Sequence, residues 1–144
     1  FTELDNGIVF KDNNLTVEAF KVNHGEFEDA YGFRFTSKDK VIVFSGDTGP
    51  SKNLERYAKD ADILVHEVYS YAGFLKKTKD WQIYHKGHHT STYEVGEIAA
   101  RAKPKLLVLS HILFWGADEK DILEETRTTF SGNIKIAEDL MVIK

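Results

Sequence analysis

The 144-residue chain is 42% hydrophobic and 12% aromatic, enough for one domain with its own core. Its net charge of -4 argues against a wholesale electrostatic grip on nucleic acid or anionic lipid, while leaving room for a local basic patch. With no cysteine it has neither a disulfide framework nor a thiolate metal site, and no apolar run approaches the ~20 residues that a membrane span needs. No basic leader with an apolar stretch opens it, so a soluble protein is expected, its compartment undetermined and the cytoplasm favoured. It begins at Phe1 and its first residues already read as strand and turn material, which predicts a fragment.

Short β-type runs come first. Ile8-Val9-Phe10 is followed by the turn residues Asp12-Asn13-Asn14, and the period-2 alternation of Leu15 to Val22 predicts a half-buried strand. After a polar turn around His24-Gly25-Glu26, Ala30 to Phe35 predicts a strand paired across Ser37-Lys38-Asp39-Lys40 with Val41 to Phe44. These elements predict an antiparallel β layer. From Gly46 onward strands alternate with helical patterns. Pro50 and Ser51 open a short helix carrying Leu54 and Tyr57, which ends before the strand Ile63 to Val65. Residues 74–86 predict a Lys-rich, aromatic loop. Ser91-Thr92-Tyr93-Glu94 fits a capping box, and Val95, Ile98, Ala99 and Ala102 form one apolar helical face before Pro104 and the strand Leu106 to Leu109. Asp118 caps a last helix with Ile122, Leu123, Thr126 and Phe130 inward; Asn133 to Ala137 and Leu140 to Ile143 predict closing strands.

The chemistry gathers where the apolar runs end. Val41 to Phe44 leads to Gly46-Asp47-Thr48, Ile63 to Val65 to His66-Glu67, and Leu106 to Leu109 to Ser110-His111, with His88-His89-Thr90-Ser91-Thr92 before the third run. In open α/β sheets ligands gather outside the carboxyl ends of the strands, so imidazoles and carboxylates delivered there point to one polar site that holds a metal. Without thiolates the ligands are imidazole and carboxylate, which suit zinc, manganese or iron.

The Gly46-Asp47-Thr48 turn, Leu64-Val65-His66-Glu67, His89-Thr90-Ser91-Thr92 and Ser110-His111 resemble, in order and spacing, the C-terminal half of the metallo-β-lactamase fold, in the branch of ribonuclease Z and arylsulfatase-like hydrolases. The early strands and the closing Ala137 to Val142 also have counterparts there. The resemblance implies an α/β (α+β) architecture: half of a four-layer αβ/βα sandwich, a mixed β-sheet flanked by helices. It implies two divalent transition-metal ions, with zinc first and manganese or iron as alternatives. Asp47 is implied as the carboxylate bridging them and His111 as a terminal ligand. His89 is implied as a proton or hydrogen-bond donor to the substrate, and Glu67 as the carboxylate that orients it. His66 is read as packing or hydrogen-bonding beneath the site. His85 and His88 have no firm counterpart; their loop either covers the pocket and meets an anionic substrate or is a solvated surface. His24, at a strand end, is either structural or facing the pocket.

The signature His-x-His-x-Asp-His of the family is absent, since the six histidines stand at 24, 66, 85, 88, 89 and 111. Asp47 and His111 cannot complete even one tetrahedral site. Residues 1–144 are therefore expected to be a C-terminal βα half, inactive alone, completed by an N-terminal half carrying the signature or by a homodimer mate. The implied function is hydrolysis of an ester, sulfate ester or phosphodiester by a metal-activated hydroxide. Alternatives are a ribonuclease Z-like RNA endonuclease and a non-catalytic half that binds or completes a partner. Against the RNA reading, Ile112-Leu113-Phe114-Trp115 departs from Ser-x-Arg-Tyr, and Val68-Tyr69 stand where Ala-Thr is usual.

Overall fold

A computed structural model describes residues 5–143; the opening residues 1–4, expected as strand and turn, lie outside them. The described residues form one sheet of seven strands in chain order: β1 (Gly7–Lys11), β2 (Leu15–Lys21), β3 (Tyr31–Ser37), β4 (Val41–Phe44), β5 (Ile63–Tyr69), β6 (Leu106–Leu113) and β7 (Ile134–Ile136). The first four pair antiparallel across tight connections. Asp12 Oδ1 accepts the amides of Asn14 and Leu15 at 2.7 and 2.8 Å, closing the β1–β2 turn, and the Ser37 amide donates to the Lys40 carbonyl at 2.9 Å in the β3–β4 turn.

From β4 onward the pairing is parallel, which demands crossovers, and helices supply them. α1 (Lys52–Tyr57) links β4 to β5, α2 (Tyr71–Leu75), α3 (Lys79–His88) and α4 (Thr92–Ala102) link β5 to β6, and α5 (Glu119–Arg127) links β6 to β7. The Ser51 side chain caps α1, the capping box of Ser91 and Glu94 starts α4, and Asp118 with Asp121 forms a second box on α5.

Side-chain alternation divides the sheet into two faces. Val43, Leu64, Val68, Leu107 and Leu109 join Leu54 of α1, Val95, Ile98 and Ala99 of α4 and Ile122 of α5 in one buried core. Phe33, Phe35, Phe44 and Val65 line the opposite face, in a cavity of about 400 Å³ with Tyr31 at its side. Phe44 is 42% exposed there, so this face carries large apolar groups that the described residues leave accessible.

Three expectations are corrected. Residues 74–86 are not a loop: α2 closes at Leu75 and α3 occupies Lys79–His88, a mostly exposed helix with no continuous apolar stripe. Leu140 to Ile143 is not a strand. Leu140 takes φ +63° in a turn closed from the Met141 amide to the Glu138 carbonyl at 3.1 Å, and its side chain is exposed, so no alternating buried face exists to hold it in the sheet. Finally, β5 and β6 do not stop at Val65 and Leu109 but run on to Tyr69 and Leu113, so His66, Glu67 and His111 lie within strands.

Candidate active site

Asp47 stands just past β4. Gly46 takes φ +63°, and a Cβ there would meet the Tyr31 carbonyl oxygen at 2.5 Å, so only glycine allows the turn that presents Asp47. His111 is placed by a β-bulge. Glu67 pairs with Ser110 and Val68 with Ile112, leaving His111 as the extra residue with φ +42°. The two meet with His111 Nε2 3.2 Å from Asp47 Oδ2, both side chains about half exposed, on the rim of the aromatic cavity.

Glu67, 2% exposed, is the hub behind them. Its Oε1 accepts the backbone amides of Thr48 at 3.2 Å and Thr90 at 3.0 Å, and His89 Nδ1 lies 3.3 Å away. Thr90 Oγ1 donates to the Thr48 carbonyl at 2.6 Å, which ties the Asp47 turn to the start of α4. The Glu67 amide in turn donates to Ser45 Oγ at 3.1 Å. The Oε2 atom of Glu67 is buried without a partner among the described residues. Burial pushes the pKa of Glu67 up, against the pull of His89 and the two amides. Burial opposes charge on His89, yet the hydrogen bond and charge of Glu67, with the charge of Asp47, raise its pKa above the usual imidazole value.

The remaining histidines fall into distinct settings. His66 is fully buried on the core side of β5; its Nδ1 donates to the Glu67 carbonyl at 2.6 Å, its Nε2 has no partner among the described residues, and burial pushes its pKa down to about 4. His24 Nδ1 donates to the His88 carbonyl at 2.8 Å, with its ring 5.3 Å from that of His89. Both nitrogens of His88 are engaged, Nδ1 with the Tyr84 carbonyl at 2.7 Å and Nε2 with Glu26 at 3.0 Å, so neither is turned toward the Asp47 and His111 pair. His85 stacks 5.5 Å from His89 between Trp81 and Trp115; burial and the neighbouring His89, His88 and Lys77 lower its pKa. Around His89 the structure thus gathers His24, His85 and, at 6.0 Å, His111, while His66 and His88 face elsewhere.

The clasp of Thr48 and Thr90 around Glu67 has no reading in the sequence, because two of its three bonds come from backbone amides. The bulge at His111 is equally silent there. Among the described residues no group of three or more histidine, aspartate or glutamate side chains forms a complete metal site. The fit is nevertheless right in kind, since a carboxylate oxygen and an imidazole nitrogen 3.2 Å apart on a cavity rim are donors that zinc, manganese and iron accept.

An aspartate turn, a bulged histidine and a buried carboxylate-histidine pair thus meet beside the carboxyl ends of β4, β5 and β6 in a mixed sheet flanked by helices. Residues 1–112 match the Beta-lactamase superfamily domain, and the chain belongs to that superfamily, in its ribonuclease Z-like branch. It is 37% identical over 108 residues to a ribonuclease Z of Archaeoglobus fulgidus, covering 74% of this chain and 33% of that protein. Among solved structures it is similar to the metallo-beta-lactamase fold protein YhfI from Bacillus subtilis, with a TM-score of 0.72 at 22% identity over 90% of this chain and 49% of that one. The short form of human tRNase Z gives a TM-score of 0.67 at 23% identity over 95% and 44% respectively. Both likenesses show the shared fold. The chain spans between 30 and 60% of the length of the first ribonuclease Z relatives that it matches. No described helix is long and apolar enough to cross a membrane.

Proposed function

We propose that this chain is the C-terminal half of a metal-dependent hydrolase that cleaves an ester, sulfate ester or phosphodiester. Asp47 and His111 hold the metal ions, with zinc the first candidate and two the expected number. When bound, these ions supply Lewis acidity beside the substrate. His89 delivers a proton or hydrogen bond to the departing group from Nε2, because Nδ1 is turned to Glu67. Glu67 holds that tautomer and orientation, itself fixed by the amides of Thr48 and Thr90. The single observation that carries the reading is the junction of the two pairs: Asp47 with His111 and Glu67 with His89 share one edge, their imidazoles 6.0 Å apart.

The other ligands belong to an N-terminal half that covers the aromatic cavity on the outer face of β3, β4 and β5. This chain covers about half of the solved structures that share its fold, and the cavity offers Phe33, Phe35 and Phe44 to such a layer. A ribonuclease Z-like RNA endonuclease is the second reading, favoured by the 37% identity to the archaeal enzyme. Metal analysis of the full-length protein tests the assignment. Transition-metal content near two per protein is expected, with aryl ester or phosphodiester hydrolysis, and Asp47→Ala should lose the metal; a metal-free, inactive full-length protein would favour a non-catalytic half.

A further inference from the structure

The segment expected as a loop carries Lys77, Trp81 and His85, side chains that neither the metal edge nor the Glu67 clasp uses, in line with His89, which the clasp holds. Lys77, Trp81, His85 and His89 recur every fourth residue, and α3 with its flanks turns that spacing into a single column. Lys77 Nζ lies 5.3 Å from the Trp81 ring, Trp81 lies tilted at 36° and 4.2 Å from His85, and His85 stacks 5.5 Å from His89. Trp115, just beyond β6, runs alongside at 5.5 Å from Lys77 Nζ, 5.9 Å from Trp81 and 4.7 Å from His85. Trp81 is 47% exposed, and His85 Nδ1 is a buried donor or acceptor with no partner among the described residues.

A group that leaves with the help of His89 rests against the rings that adjoin it. Of these, His111 is occupied with Asp47. His24 opens toward Phe27, where Glu26, Glu28 and Asp29 outnumber the one lysine that reaches them, Lys21, whose Nζ lies 3.2 Å from Asp29 Oδ1. The α3 side has the opposite sign, with Lys76, Lys77, Lys79 and Lys86 against Asp80 alone in a chain of net charge -4. Stacking rings that end at an ammonium suit a flat group carrying negative charge. We propose that Trp81, His85 and Trp115, closed by Lys77, form the leaving-group subsite and that it takes a planar aromatic ring bearing a phosphate. This rests on His89 being the donor to the leaving group.

The test is calorimetric titration of the full-length protein with phenyl phosphate, cyclohexyl phosphate and adenosine 5′-monophosphate. Phenyl phosphate is expected to bind about tenfold more tightly than its saturated analogue, the scale of one lost ring stack. Trp81→Ala should erase that preference and Trp81→Phe restore it, whereas Lys77→Ala should weaken phenyl and cyclohexyl phosphate alike. Equal affinity for the two phosphates, or affinities that neither Trp81→Ala nor Lys77→Ala changes, overturns the subsite. Tighter binding of the mononucleotide than of phenyl phosphate identifies the ring as a nucleobase, and the reverse order as a simple aryl group. Binding is read without turnover. Ring preference in a full-length protein that carries no metal and hydrolyses no ester would uphold the subsite and remove the hydrolase reading; an active metalloenzyme without ring preference would do the converse.

Discussion

His89 Nδ1 lies 3.3 Å from Oε1 of Glu67, a carboxylate that is 2% exposed and already accepts two backbone amides. The contact leaves Nε2 as the nitrogen of His89 that would meet a substrate in the proposed function. It also holds the proton on the imidazole to higher pH than an isolated buried histidine would.

A proton donor with a raised pKa works while protonated and fails as pH rises through its folded-state value. Glu67→Gln keeps an acceptor oxygen but removes the charge, while burial of His89 remains. The basic limb of the pH-rate profile of the full-length enzyme should therefore move to lower pH. His89→Ala should lower kcat by about 10²–10⁴-fold with metal content intact. A basic limb unmoved by Glu67→Gln would show that another group supplies the proton. Stability follows the same sign: the contribution of a histidine with raised pKa is complete below its unfolded value and fades as pH climbs through the folded one.

His66 gives the opposite dependence. It is fully buried with a folded pKa of about 4, below its unfolded value of 6.5, so the unfolded state binds the extra proton between them. Stability should fall as pH drops from neutrality toward 4, by roughly 3 kcal/mol for this one group at about 1.4 kcal/mol per pKa unit. Urea denaturation at pH 7 and at pH 4.5 measures the loss. His66→Asn should flatten that part of the slope, and an unchanged slope would place the acid sensitivity elsewhere.

What the sequence discloses and what it conceals follow one physical division. The caps at Ser51, Ser91 and Asp118 are local hydrogen bonds between near neighbours, so the starts of α1, α4 and α5 were readable. The core face of α4 was readable because Val95, Ile98, Ala99 and Ala102 bury one stripe. α3 has no such stripe; its own rings pair along it, Trp81 tilted against His85 and Tyr84 stacked on His88, which leaves a pattern resembling a solvated loop. The chain order of Asp47, Glu67, His89 and His111 was visible, but their meeting depends on the register of β5 against β6. The bulge that frees His111 is a property of that pair of strands and not of either one.

The outer face of the sheet supplies the last prediction. Phe44 is 42% exposed, stands opposite Phe33 across β3 and β4, and meets the Phe35 ring at 5.6 Å. If that face stayed in water, Phe44→Asp would remove an aromatic contact of about 0.5–1.5 kcal/mol and leave the new carboxylate hydrated. Under an N-terminal half the same carboxylate would be buried without a partner, a penalty of several kcal/mol that folding must absorb. Denaturant titration of the full-length protein separates the two. A loss well beyond the aromatic contact is expected, accompanied by loss of bound metal, because in the proposed function the covering half carries the remaining ligands. A small loss with full metal content would leave Asp47 and His111 to be completed by some other surface, such as a second copy of this chain.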